Sequence, residues 1–207
     1  MPTPTQAATV SGKSAEISIT LPPWLRRELD GVSDSEAFAS ADERMAFVIA
    51  LSRKNIAAGG GPFAAAVFDA ESGRLIAAGV NMVTRLGLSI AHAEIVALSQ
   101  AQAVLGGFDL GGEGMPVCEL VSSAEPCAMC FGAVPWSGVR SLVCGARDED
   151  ARSVGFDEGA KREDWAQSLE ARGITVRRDV QREFAVSVLR EYAAAGGVVY
   201  NGRKGGQ

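Results

Sequence analysis

A single histidine stands among 207 residues. Metal centres built on two or three imidazoles are therefore excluded. If that histidine, His92, is itself a metal ligand, none is left for a serine or cysteine protease triad. Cysteine is also scarce. Four residues are too few for the disulfide framework of a small secreted fold, so a reducing cytoplasm is the expected setting. Basic residues are in deficit: 20 Lys and Arg against 25 Asp and Glu leave a formal net charge of −5. Such a chain has no general attraction to nucleic acid or to an anionic membrane. No apolar run approaches the roughly 18 residues of a membrane span. The start, Met1-Pro2-Thr3-Pro4, lacks a basic region followed by an apolar core, so no secretory signal is expected. The glycine-rich turn Gly59-Gly60-Gly61-Pro62 is not followed by Gly-Lys-Ser/Thr, which excludes a Walker loop. No internal repeat is visible.

What is present reads as one globular domain with a substantial core: 47% of residues are hydrophobic and 22% charged. Residues 1–16, rich in Pro, Thr, Ser and Ala, are expected to form a loose tail. Residues 17–39 form an N-terminal extension on the domain surface, anchored by Trp24. The catalytic domain is placed at residues 40–202, with a short tail at 203–207. Met45, Val48, Ile49 and Ile56 repeat at helical spacing and predict a helix over 41–57. Apolar runs at 63–69 and 74–80, joined by Glu71-Ser72-Gly73, predict a hairpin. A loop follows over 82–90. A buried helix is expected at 92–105, a strand at 117–122, a short helix at 126–136 and a strand at 139–144. Residues 147–163 show no period. A strand at 174–178 and a closing helix at 180–195, with Phe184, Val188, Leu189 and Tyr192 on one face, complete the chain. Alternating strands and helices predict an α/β architecture: one mixed sheet covered on both faces.

Two short stretches carry the chemistry. His92-Ala93-Glu94 and Pro126-Cys127-Ala128-Met129-Cys130 together offer one nitrogen and two thiolates. Zinc accepts that set, and three protein ligands leave a fourth tetrahedral position for water. Cys127 and Cys130 are three apart on a predicted helix and so share a face. Pro126 suits its first turn, where a missing N–H costs nothing. The positive end of that helix favours the thiolates. His92 and Glu94 impose a geometric condition. On a regular helix they point about 200° apart, so both reach one metal only if His92 sits at the irregular cap. Such a metal lowers the pKa of its water to near neutrality, and Glu94 can take that proton and pass it on. H-x-E followed by P-C-x-x-C is the pattern of the zinc-dependent nucleobase deaminases. Cys118 and Cys144 lie within predicted strands and are expected to be core residues.

Residues 60–159 resemble the guanine deaminase branch of the cytidine deaminase-like superfamily. The resemblance rests on Gly61-Pro62-Phe63, Asn81, Ala91-His92-Ala93-Glu94, Glu125-Pro126-Cys127 through Cys130, Gly132-Ala133, Trp136 and Gly155-Phe156-Asp157-Glu158. It implies a three-layer α/β/α fold with a mixed, mainly five-stranded sheet. The implied reaction is hydrolytic deamination of guanine to xanthine and ammonia, with one catalytic zinc held by His92, Cys127 and Cys130. Glu94 is the implied proton shuttle. Asn81 would bind the ring carbonyl, Glu158 would contact the purine and assist proton transfer, and Trp136 would wall the pocket. Ala93, Phe63, Phe156 and Asp157 are the remaining candidates for substrate contacts. Other members carry Asp where this chain has Glu158, which is one methylene longer. The resemblance also implies a homodimer, with a C-terminal segment, here Tyr200-Asn201-Gly202, covering a site.

Alternatives in the same superfamily are deaminases of ammeline or related triazines, of cytosine or of guanosine. A tRNA adenosine deaminase would need basic clusters, whereas the densest here are the pairs Arg26-Arg27, Arg177-Arg178 and Arg203-Lys204, interspersed with acids. A non-catalytic zinc scaffold would bring a fourth protein ligand to the metal. A thioredoxin-like redox protein would keep its C-x-x-C free of metal.

Overall fold

The structure, a computed structural model, describes residues 14–33 and 35–202. Most of the expected N-terminal tail and the whole of 203–207 lie outside the described residues.

The extension contains a short helix, α1 (Pro23–Asp30). Leu25 and Leu21 are buried in the core while Trp24 packs against it only partly buried. The leucines, not Trp24, are the anchor. An eight-residue helix has one face to bury, and the smaller side chains fit deeper.

Helix α2 (Ala41–Ala57) forms where its periodicity places it. Ser40 Oγ accepts the Glu43 N–H at 3.1 Å, and the Glu43 carboxylate accepts the Ala39 N–H at 2.7 Å. This reciprocal arrangement satisfies donors that a helix start leaves open. The hairpin strands β1 (Ala64–Asp69) and β2 (Leu75–Val80) follow. The chain then continues through α3 (Val83–Leu86), α4 (Ala93–Leu105), β3 (Cys118–Ala124), α5 (Ala128–Ser137), β4 (Ser141–Ala146), α6 (Asp148–Ser153), α7 (Trp165–Glu170), β5 (Thr175–Arg177) and α8 (Arg182–Ala194).

The sheet has the order β2-β1-β3-β4-β5. β1 is antiparallel to β2 and β3, whereas β3, β4 and β5 run parallel. Each strand feeds both faces, as the two-residue repeat requires. Ala64, Ala66 and Phe68 pack with α2 and α8; Ala65 and Val67 pack with α4 and α5. The expected mixed sheet between helical layers is what the chain forms. Cys118 and Cys144 are fully buried in it.

One glycine brings the key helix in close. A Cβ at Gly79 would lie 2.4 Å from the Ala97 nitrogen and 2.6 Å from the Ala93 oxygen. Only the missing side chain lets α4 lie directly on β2, which sets His92 and Glu94 at the sheet's edge.

Three expectations are corrected. Residues 147–163 contain α6, which is not apparent in the sequence because five polar residues and a single alanine, Ala151, show no apolar period. Its first turn instead holds Asp148, Glu149 and Asp150, which the helix dipole favours. The second short helix starts at Ala128 rather than Pro126, with Cys127 as N-cap. On α8 the buried face is Ala185, Val188, Leu189 and Tyr192. Phe184, at the edge of that face in the first turn, is 62% exposed.

Candidate active site

The site forms where two helices start beside the carboxyl ends of β3 and β4. His92 is the N-cap of α4, with extended φ −69° and ψ 156°. This meets the geometric condition read from the sequence: the cap departs from helical geometry, and His92 and Glu94 line one cavity. Cys127 caps α5 in the same way, with φ −63° and ψ 172°. Cys130 lies one turn on, fully buried.

The ligand atoms of His92, Cys127 and Cys130 all lie within 4.8 Å of one another. His92 Nδ1 is 3.5 Å from Cys127 Sγ. Tetrahedral zinc, with bonds of about 2.05 Å to nitrogen and 2.3 Å to sulfur, sets that edge at about 3.5 Å. One nitrogen and two sulfurs also match zinc's preference, so the residues fit the metal. Among the described residues this metal-ligand cluster has three members, which disfavours a closed structural site.

Electrostatics prepare the donors. The Cys130 thiol donates to Cys127, and His92 hydrogen-bonds it as well. Together these hold the Cys127 thiol down at about 4 against the cost of burial. Cys130 is raised for the converse reason, because its own thiol proton is engaged in donating to Cys127, and because it is buried. Burial opposes the His92 cation, but the hydrogen bond to Cys127 and the charge of Glu94 outweigh it and raise its pKa. Burial, then the charge on Cys127, raises Glu94. Burial followed by the charges of Cys127 and Glu94 pushes Glu158 up to about 8. Among the described residues neither glutamate is salt-bridged to a lysine or arginine.

The cavity is about 150 Å³. Drug-sized ligands occupy roughly 300–1,000 Å³, so this space matches one small heterocycle. Phe63 and Phe156 both line it and pack edge to face against each other, centroids 4.9 Å apart and planes at 72°. Asn81 is buried just beyond β2. Its Oδ1 accepts the Val83 N–H at 3.2 Å, which leaves the Nδ2 hydrogens to donate into the cavity. Asp157 and Glu158 complete the lining from their loop.

Two expectations fail geometrically. Trp136 is 86% exposed and lies outside the lining. It stands six residues after Cys130, which turns it about 120° away on a helix. Ala93 is buried between His92 and Glu94 but does not line the cavity.

Other residues had no clear signal in the sequence. Asn55, on α2, donates from Nδ2 to the Gly61 carbonyl (2.8 Å) and the Asn81 carbonyl (2.9 Å). It was legible only as a polar residue on the apolar stripe. Tyr200 tilts against Phe156 with centroids 5.2 Å apart. Its buried hydroxyl has no hydrogen-bond partner among the described residues. Asn201 accepts the Asp157 N–H and donates to the Gly155 carbonyl, both at 2.9 Å. The C-terminal segment thus covers the cavity within its own chain.

A family model for the cytidine and deoxycytidylate deaminase zinc-binding region matches residues 39–146. The guanine deaminase of Bacillus subtilis (strain 168) is 38% identical over 111 residues, 53% of this chain and 67% of that protein. A solved structure of guanine deaminase from Nitrosomonas europaea is 53% identical, with a TM-score of 0.82, covering 89% of this chain and all of that one. A tRNA-specific adenosine deaminase of Agrobacterium fabrum is 35% identical over 82 residues, 40% of this chain and 51% of that protein. The chain belongs to the cytidine and deoxycytidylate deaminase zinc-binding family, in its guanine deaminase branch.

Proposed function

We propose that this protein hydrolyses guanine to xanthine and ammonia. One observation carries the reading: the cavity lined by Glu94 and by His92 and Cys127, with Cys130 buried beside them, is lined also by the buried Glu158 and by Asn81, whose Oδ1 is already engaged. Guanine presents matching groups, a ring carbonyl for Asn81 and an amidine with ring N–H for the acids. The similarity to guanine deaminases along most of the chain points to the same base.

When bound by His92, Cys127 and Cys130, zinc supplies Lewis-acid activation of water at neutral pH. The chain's own residues do the rest. Phe63 and Phe156 hold the ring plane and exclude water. Asn81 Nδ2 donates to the ring carbonyl and fixes which edge faces Glu94. The Glu94 carboxylate takes one proton from the attacking water and gives it to the ring nitrogen. It then takes the proton of the hydroxyl newly bonded to the ring carbon and gives it to the amine, which leaves as ammonia while the carbonyl forms. The raised pKa of Glu94 suits a group that must both hold and release a proton. Glu158 meets the purine from the far side and assists the proton transfers. Tyr200 and Asn201 close the cavity over the base.

We also infer a homodimer. Phe108 at 85% exposure, Trp136, Val104 and Met129 are apolar side chains left exposed on or beside α4 and α5. Exposed apolar surface of this kind marks an interface, and a second copy would bury Trp136. Trp136→Arg is expected to shift the sedimentation coefficient from dimer to monomer; a wild-type chain that sediments as a monomer would refute this assembly.

The function is tested by ammonia release from purified, zinc-loaded protein with guanine, read with the formation of xanthine. Turnover is the expected result. No turnover with zinc bound and the fold intact would overturn guanine as substrate, and ammeline, cytosine, guanosine and tRNA would be tried in turn.

A further inference from the structure

Glu158 reaches the cavity on a loop, residues 155–161. A catalytic group must be held to within about 0.5 Å, and a loop does not do that unaided. Besides the two bonds to Asn201, three hydrogen bonds tie the Glu158 end of this loop to the rest of the site. The Ala128 N–H donates to the Glu158 carbonyl at 2.9 Å. Arg152 Nη2 donates to the Gly159 carbonyl at 2.8 Å. Lys161 Nζ donates to the Pro126 carbonyl at 2.9 Å.

The third is unusual, because the Lys161 side chain is only 4% exposed. Its ammonium lies 3.7 Å from Glu125 Oε2, 3.7 Å from Asp148 Oδ1 and 4.8 Å from the Trp165 ring centroid. Removing such a charge from water is expensive, and an apolar residue in its place often serves stability as well or better. Stability alone is therefore a weak reason for a lysine here. What an apolar residue could not do is grip the Pro126 carbonyl, the peptide group immediately before Cys127. The ammonium ties the loop bearing Glu158 to the loop bearing Cys127.

We propose that Lys161 is a positioning residue. It holds the Glu158 loop in register with the Cys127 loop, so that the Glu158 carboxylate meets the base opposite Glu94. This rests on the reading of Glu158 given above.

The test is Lys161→Met, alone and combined with Glu158→Gln, in the full-length zinc-loaded protein. Folding should survive the single change. Glu125 keeps Arg178, whose Nε donates to Oε1 at 2.6 Å, and Asp148 keeps Arg152 at 3.1 Å. Should it not fold, Lys161→Met with Asp148→Asn removes the charge left over and takes its place. For guanine we expect kcat to fall about 10- to 100-fold, with zinc content unchanged and KM within about threefold. In the Glu158→Gln background the same change should cost less than about twofold, because the group it positions is already gone. A kcat within twofold of wild type, while Glu158→Gln is impaired, would overturn the role of Lys161 and leave that of Glu158 standing. Losses that multiply in the double variant, or that track lost zinc, would overturn it as well. Full activity of Glu158→Gln would remove the reading of Glu158 itself, and the role of Lys161 with it.

Discussion

At the end of the sheet where β3 and β4 finish, Glu94 and Glu158 are buried, and among the described residues no lysine or arginine is bridged to either carboxylate. At the other end, where the same strands start, Glu119 is buried too, but Arg44 stands 3.1 Å away and Ser141 donates to it at 2.9 Å. The Arg44 and Glu119 side chains are 11% and 10% exposed. A second cavity, lined also by Thr175 and Arg177, opens there. Space and buried acid therefore occur at both ends. Glu125, also buried at the catalytic end, has Lys161 and Arg178 beside it, so what sets Glu94 and Glu158 apart is that, among the described residues, no such cation bridges them. Burial and the charge on Cys127 outweigh the opposing pull of His92 on Glu94 and of Lys161 on Glu158, so both carboxyls are raised and suited to exchanging a proton.

The sharpest way to break this comparison is to remove one charge at each end: the acid at one, the cation at the other. Glu94→Gln is expected to lower turnover of guanine about 100- to 10,000-fold, the range of general acid–base catalysis, with zinc content and melting temperature near wild type. If it melts much lower and keeps its activity per folded molecule, the two ends are not different in kind. Arg44→Met should do the converse. Stranding Glu119 beside a vacated partner costs about 3–5 kcal/mol, read by denaturant unfolding, while kcat of the folded fraction stays unchanged.

A smaller effect sharpens the catalytic end. Asn55→Ala removes the side chain that accommodates the Gly61 and Asn81 carbonyls. It should cost about 1–3 kcal/mol of stability and raise KM for guanine more than it lowers kcat, because Asn81 would be less well placed. An unchanged KM would free Asn81 from dependence on α2.

The smallest effect lies on the surface near β5. Arg182 holds Asp150 and Arg147 holds Asp179, at 2.8 and 2.7 Å, and these hydrogen bonds depress both carboxyls. A depressed carboxyl contributes stability above its unfolded pKa and loses it as pH falls through the folded one. Melting temperature should therefore drop between about pH 4 and 2. Arg182→Gln should flatten that drop while leaving the pH dependence of turnover unmoved.

Much of the catalytic end was legible before any coordinates. The helix over 41–57 was read to the residue, because its apolar stripe and flanking charges agree. The three metal ligands and Glu94 were legible because the ligand types and spacing are demanded by the metal itself. Even the extended backbone at His92 followed from the 3.6-residue repeat. Other features carried no such local demand. Asn55 looks like any polar residue on a helix. Lys161 sits in a stretch without period and meets the Pro126 carbonyl, 35 residues away in sequence. Trp136 was assigned to the pocket by resemblance, yet the turn of α5 carries it to the outside.

The sequence by itself determined the α/β alternation and the metal donor set, and singled out Glu94 as the proposed proton carrier, because each depends on residue type and short-range spacing. Only the tertiary structure decided which buried acid has a cation. It likewise decided which lysine reaches across to the thiol loop, and that the C-terminal segment closes its own chain's cavity. Those outcomes depend on distances between segments far apart in the chain, and such distances arise only when the sheet and its helices pack.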